Sequence, residues 1–202
     1  MVGPLGFWRE LQAYQLGAVQ RLGLQPAHCL LDLGCGPLQG GIPFISYLEK
    51  ERYVGIDRRA EAVEMGREEI TRHGLDYKKP RLFVTESFGD IELGETKLDF
   101  VWASQVLYYF HEPTMHQLFA LVSRRLNPTG VMAGDILGPN SDRSFLRPPL
   151  PPVHTGASLD VIAKAHGLRV VERGTIQDFA YPRRLGLRHN VMLEITHRRG
   201  QP

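Results

Sequence analysis

The run Asp32-Leu33-Gly34-Cys35-Gly36-Pro37-Leu38-Gln39-Gly40-Gly41 sets a carboxylate two residues ahead of a glycine-rich turn, directly after the apolar pair Leu30-Leu31. Glycines in such a turn leave the space of a Cβ empty and let the backbone come close to a ligand. A second apolar run, Val54-Gly55-Ile56-Asp57, ends in another carboxylate about 20 residues beyond the turn, the spacing at which an acid accepts hydrogen bonds from ribose hydroxyls. Gly34 and Gly36 taken alone would describe any tight strand-to-helix turn. Strand, turn, helix and Asp57 in register point to a nucleoside-containing ligand.

The details of the turn narrow that ligand. A dinucleotide fingerprint reads G-x-G-x-x-G, whereas here the third glycine is displaced to Gly40 and Asp32 precedes the turn. A carboxylate so placed repels a pyrophosphate and suits a cationic amine. The chain has no G-x-x-x-x-G-K-[ST] loop, and no tyrosine has a lysine four residues on, an arrangement common in nicotinamide-dependent reductases. S-adenosylmethionine (SAM), with an ammonium, a sulfonium and no phosphate, fits these residues.

Short apolar or β-branched runs alternating with amphipathic stretches position these groups, the pattern of an α/β fold with a parallel sheet. Strands are expected at residues 28–33, 52–57, 81–86, 98–103, 131–137, 169–175 and 190–197, the last two as an antiparallel edge. Helices are expected at 7–22, after the glycine turn with Pro43 in its first turn, at 60–73 before Gly74, from Pro113 to about 126, and from a Ser158 cap to 165 before Gly167. The turn Asn127-Pro128-Thr129-Gly130 leads into the fifth strand. The whole of 1–202 reads as one domain, with a helical cap over 1–27 and an irregular proline-rich loop over 139–157 on the substrate side. That loop contains Arg147-Pro148-Pro149-Leu150-Pro151-Pro152, which favours polyproline-like extension and cannot be an inner strand.

With these elements in place, the chain resembles the class I (Rossmann-like) SAM-dependent methyltransferase family. Asp32-Leu33-Gly34-Cys35-Gly36 is similar to that family's first motif, Asp57 to its acidic second motif, and residues 98–109 to the motif on the fourth strand and its loop. Leu126-Asn127-Pro128-Thr129-Gly130 resembles the family's LKPGG turn, with Asn127 and Thr129 as departures. The resemblance covers residues 30–137. It implies a three-layer sandwich around a mostly parallel seven-stranded sheet with a reversed C-terminal strand. It also implies SAM as cofactor, leaving as S-adenosylhomocysteine. The Gly34 and Gly36 backbone would cradle the donor, Asp32 support the turn and the amino-acid end, and Asp57 hold the ribose, with Cys35 and Arg58 also among the cofactor-binding residues. Glu86 and Ser87 would face the adenine, Ser104 and Gln105 border the methionine part, and Tyr14 close over it.

On the acceptor side, His111 and Asp135 are the catalytic candidates: His111 follows the fourth strand, and Asp135 lies near the carboxyl end of the fifth, where α/β folds commonly bind ligands. His111 also reads as a helix cap, as does Glu112. Tyr108 and Tyr109 read as pocket lining or aromatic packing, His154 as mobile surface, and His116, His166 and His197 as structural or exposed. The acceptor is expected to be a small molecule, a metabolite or natural product methylated on O or N. An Asn/Asp-Pro-Pro-aromatic motif is missing after the fourth strand, where Ala103-Ser104-Gln105-Val106 stands. An RNA or protein methyltransferase and a non-catalytic SAM-binding protein stay open as alternatives.

Composition constrains the rest. The 202 residues are 43% hydrophobic and 23% charged with a net charge of +2, ordinary for a globular protein and too weakly basic to imply a polyanionic partner. Arg183, Arg184, Arg188, Arg198 and Arg199 cluster near the end and read as a solvated face rather than a nucleic-acid surface. Cys29 and Cys35, the only cysteines, read as reduced thiols, and no metal site is expected. No apolar run is long enough to span a bilayer and the start lacks a secretory layout, so a cytoplasmic protein with no membrane partner is the expectation.

Overall fold

The computed structural model describes residues 6–88, 93–94, 96–146 and 152–198. Its sheet has the order β3-β2-β1-β4-β5-β7-β6. The strands are β1 (Leu30–Leu33), β2 (Tyr53–Asp57), β3 (Arg81–Val84), β4 (Leu98–Ala103), β5 (Leu126–Ile136), β6 (Leu168–Thr175) and β7 (Val191–His197). Pairings from β3 to β5 are parallel, and β7 runs antiparallel to both β5 and β6. The helices are α1 (Trp8–Arg21), α2 (Gly41–Tyr47), α3 (Ala60–Arg72), α4 (Glu112–Arg125) and α5 (Gly156–Lys164).

Side-chain alternation along the inner strands builds two cores. Leu30, Tyr53, Phe100, Trp102 and Ala133 face a layer made by α1, α2 and α3. Leu31, Leu33, Val54, Ile56, Val101 and Met132 face α4 and α5. Burial on both faces explains why β1 and β2 read as unbroken apolar runs rather than an alternation. It also explains why Asp32, Asp57 and Asp135 stand out, as acids on buried strands.

Several boundaries differ from the sequence expectation. β1 begins at Leu30 because Cys29 is engaged by Asp99, whose carboxylate accepts the Cys29 N–H at 2.8 Å. β3 stops at Val84, which leaves Glu86 and Ser87 in the following loop. β5 starts at Leu126, so the Asn127–Gly130 turn lies inside a strand whose register against β4 shifts between Leu98 and Phe100. The cap of α5 is Thr155, not Ser158: the Thr155 side chain accepts the Ser158 N–H at 3.0 Å while Ser158 accepts the Thr155 N–H at 2.9 Å. His154 is buried rather than surface, with Nε2 2.7 Å from the Phe110 carbonyl oxygen. The proline-rich run 147–151 lies outside the described residues.

Both cysteines are free and buried. Among the described residues no helix is long and apolar enough to cross a membrane. Of the basic cluster, Arg198 is bound to Asp160 through two 2.9 Å contacts, Arg183 and Arg184 are exposed, and Arg199 lies outside the described residues.

Two glycine substitutions should separate tight from open backbone. A Cβ on Gly134 of β5 would meet the Ala103 carbonyl oxygen at 2.6 Å, whereas one on Gly17 of α1 meets nothing within 4 Å. Gly134→Ala is expected to destabilise by about 1–3 kcal/mol and Gly17→Ala to stabilise by about 0.5–1 kcal/mol, both read from urea unfolding midpoints.

Candidate active site

The ends of β1 and β2 are joined around the glycine turn. The Gly34 and Cys35 N–H groups both donate to the Ile56 carbonyl, at 2.8 and 3.0 Å. Gly34 and Gly36 take the left-handed backbone, at φ +69° and +53°. A Cβ on Gly34 would come within 3.1 Å of Val106 Cγ2. The turn is completed by Asp57, whose Oδ2 accepts the Gly36 N–H at 2.9 Å. Its Oδ1 accepts the Arg59 backbone N–H at 2.9 Å and Nε–H at 3.3 Å. Arg58 is exposed. The arginine on Asp57 is therefore Arg59, which sequence reasoning missed although an acid commonly bonds the backbone two residues on.

Asp32 is buried and its Oδ2 accepts the Tyr53 hydroxyl at 2.7 Å. Burial pushes its carboxyl up to about 7; the Tyr53 hydrogen bond opposes that shift and the Asp57 charge adds to it. The Cys35 thiol is raised well above its usual range, chiefly by burial and then by Asp32 and Asp57, so it stays protonated near neutrality. Glu86 is exposed beyond β3, and the Ser87 N–H donates to Thr85 Oγ1 at 3.2 Å.

A second group gathers past β4 and β5. Gln105 adopts φ +57°, costly for a residue with a side chain and held here by two hydrogen bonds. Its backbone N–H donates to Asp135 Oδ1 at 2.7 Å and its Nε2 to the Tyr181 hydroxyl at 3.3 Å. Asp135 is fully buried, and its Oδ2 accepts Asn190 Nδ2–H at 2.6 Å. Asn190 Oδ1 in turn accepts the Ser141 hydroxyl at 2.6 Å. Burial raises Asp135 to about 6, against the hydrogen bonds from Asn190 and Gln105. The Tyr14 ring of α1 meets Tyr181 edge-on, centroids 5.0 Å apart at 89°. The Tyr14 hydroxyl is buried, and the Ser104 side chain is a polar group that faces it. Next to it, Gln15 Oε1 accepts the Trp102 indole N–H at 3.0 Å and so fastens α1 over the sheet.

The structure thus brings Asp32, Gly34, Cys35, Gly36 and Asp57 to one turn. It brings Tyr14, Gln105 and Asp135 together beside it, with half-buried Ser104 preceding Gln105. His111 stands apart, exposed at the N-cap of α4 with no capping bond from its side chain, and Glu112 is exposed as well. Tyr108 is buried and Tyr109 half exposed. His116 Nδ1 lies 3.0 Å from His166 Nε2, linking α4 to the end of α5. Tyr53, Tyr181 and Asn190 were not singled out by sequence; nothing in their spacing marks them, because each reaches the site from a different strand or loop.

A methyltransferase-domain family model matches residues 30–130. Among solved structures, the CcbJ methyltransferase from Streptomyces caelestis is 18% identical, with TM-score 0.72 over 97% of each chain. The magnesium protoporphyrin IX methyltransferase of Synechocystis, solved with bound SAM, is 14% identical, with TM-score 0.67 over 98% of this chain and 87% of that one. The [4+2]-cyclase SpnF is 15% identical, with TM-score 0.69 over 94% and 82%. Fold and site together define the class I Rossmann-like methyltransferase architecture. The chain belongs to the methyltransferase-domain family and is a SAM-dependent methyltransferase, with SAM as its cofactor. The residues present fit that cofactor: two left-handed glycines, Gly34 with a neighbour where a side chain would stand, and a buried acid on the turn.

The raised carboxyl of Asp32 has a consequence for stability. An unfolded aspartate ionises near ~3.9. Asp32 therefore contributes stability that is full below about pH 4 and is lost as pH rises through about 7. Asp32→Asn keeps an acceptor for Tyr53, so its stability relative to the unsubstituted protein should rise by about 2 kcal/mol between pH 5 and pH 8 in urea titrations.

Proposed function

We propose that this methyltransferase acts on O or N of a small molecule, with the donor held at the β1–β2 turn and the acceptor beside Asp135. The observation that carries the donor half is the Asp57 carboxylate, buried and already shaping the turn through the Gly36 N–H. It keeps lone pairs for a ribose. Gly34 and Gly36 open the backbone to the methionine part, Asp32 stiffens the turn through Tyr53, and the Tyr14 hydroxyl adds a polar group from α1. Glu86 and Ser87, beyond β3, are assigned to the adenine side. Bound there, SAM supplies a methyl group on a sulfonium, transferable to a nucleophile.

The chain's own work is to position the reactants and keep water out. The Gln15–Trp102 bond holds α1 over the site, and Tyr14 against Tyr181 covers the β4 and β5 ends. Asp135, inside that cover, is our acceptor-side group in preference to the exposed His111. A small acceptor is supported by this cover, by the pairing of Arg198 with Asp160 that interrupts the basic cluster, and by a structural neighbour acting on magnesium protoporphyrin IX.

Calorimetric titration with SAM and S-adenosylhomocysteine tests the donor site. The unsubstituted protein is expected to bind both, and Asp57→Ala to weaken them by about 10–100-fold, the worth of one or two hydrogen bonds to a charged group. A folded protein that binds neither would overturn the reading, and an Asp57→Ala variant with unchanged affinity would remove Asp57 from it.

A further inference from the structure

The loop that leaves β4 meets a different neighbour at each of three consecutive residues. The Ser104 side chain faces the Tyr14 hydroxyl of α1. Gln105 is bonded to Asp135 and Tyr181. Val106 lies against the glycine turn, so close that a Cβ on Gly34 would stand 3.1 Å from its Cγ2. Between Ser104 and Val106 the chain changes direction at Gln105, whose φ of +57° lies in the left-handed region that a residue with a side chain avoids. A return of Gln105 to ordinary backbone would swing Val106 away from Gly34. The position of this wall of the turn therefore depends on what holds Gln105.

The Gln105 side chain holds it lightly, through a 3.3 Å bond to the Tyr181 hydroxyl. The stronger hold is on the backbone, where the N–H donates to Asp135 Oδ1 at 2.7 Å. Asp135 is itself fixed in place. Its Oδ2 accepts Asn190 Nδ2–H at 2.6 Å, the Ser141 hydroxyl donates to Asn190 Oδ1 at 2.6 Å, and Ser141 Oγ accepts the Gly138 N–H at 2.9 Å. Gly138 and Ser141 follow β5 and Asn190 precedes β7, so two segments of chain clamp one carboxylate. The strand that carries it also runs tight against the end of β4, since a Cβ on Gly134 would meet the Ala103 carbonyl oxygen at 2.6 Å. An aspartate suits this place because both groups facing its oxygens are donors, and a carboxamide would turn a donor of its own toward one of them. Fully buried and committed to those two donors, Asp135 is placed to act on the loop.

We propose that Asp135 is a positioning residue for the methyl donor: it locks Gln105 in the left-handed conformation and so seats Val106 against Gly34, where the donor's methionine part is held. The inference rests on the donor-site reading. Asp135 belongs to the acceptor side as the anchor behind the loop, not as a group the acceptor touches.

A double-substitution cycle read by calorimetric titration with S-adenosylhomocysteine tests this. Asp135→Ala removes the lock, and Gln105→Gly removes the need for one, because glycine takes a positive φ without strain. Asp135→Ala alone is expected to weaken binding by about tenfold or more, the range of one strained residue released. Gln105→Gly alone should weaken it by about threefold, through the lost Tyr181 bond and a freer backbone. Added to Gln105→Gly, Asp135→Ala should cost less than a further factor of about three. Urea unfolding midpoints are expected to fall with Asp135→Ala in both backgrounds, so the change in affinity, not in stability, separates positioning from a merely structural role. Asn190→Ala, which leaves the carboxylate free to rotate, takes the place of Asp135→Ala in the same cycle if that variant does not fold.

Three outcomes overturn the proposal. A folded Asp135→Ala with unchanged affinity would make the buried group a stability element alone. An undiminished loss in the Gln105→Gly background would show Asp135 acting independently of Gln105. Loss of all binding in Gln105→Gly would give the work to the Gln105 side chain. If the unsubstituted protein binds no S-adenosylhomocysteine, the donor-site reading falls first, and this proposal with it.

Discussion

The Gly36 N–H to Asp57 bond ties the end of β2 to the turn that follows β1, and the geometry of the donor site descends from it. Both strands are buried on both faces, so their carboxyl ends can diverge only at the turn itself. Asp57 takes Gly36 with one oxygen and Arg59 with the other, so each oxygen serves a different segment of chain. The Gly34 and Cys35 N–H groups converge on the Ile56 carbonyl, one residue ahead, and reinforce the same junction. The turn is thus built as a receptor by bonds within the protein, before any ligand contributes.

The antiparallel strand β7 explains how a second group joins it. Because β7 runs opposite to β5, with Asp135 facing Met192 and Ile136 facing Val191, the beginning of β7 lies at the carboxyl end of β5. Asn190, just ahead of that strand, therefore falls on Asp135, and Tyr181 reaches Gln105 from the segment leading there. Had β7 run parallel to β5, those residues would lie at the opposite edge of the sheet. The reversed strand is a means of supplying side chains to the ligand edge from the far end of the sequence.

Residues joined by local chemistry were legible in the sequence. The glycine turn, Asp57 and the strand alternation are short-range patterns, and the expected sheet with its reversed last strand is the one observed. Where reasoning failed, the deciding partner was distant or the choice lay between adjacent residues. Thr155 and Ser158 are both good caps and bond each other, and only the path of the chain decides which stands first. Arg58 and Arg59 are equivalent in sequence, but the backbone after Asp57 turns only the second onto it. His154 is buried through the carbonyl of Phe110, 44 positions away, which no local pattern announces. Asp135 was singled out by its place near the carboxyl end of the fifth strand, yet Asn190, which bonds it, and Ser141 and Tyr181, which extend the network, come from loops that spacing does not connect.

A cyclase shares this architecture, so the fold alone does not specify a reaction, and the side chains at the edge of the sheet carry the distinction. One of them also gives the protein a built-in gauge. Trp102 is fully buried on β4, and its indole N–H is bonded to Gln15 of α1. Its emission colour depends on how dry its surroundings are and on that bond. With the second tryptophan, Trp8 of α1, replaced by phenylalanine, the fluorescence of the protein reports whether α1 is seated or lifted, and the traffic of ligands beneath it can be followed optically in real time.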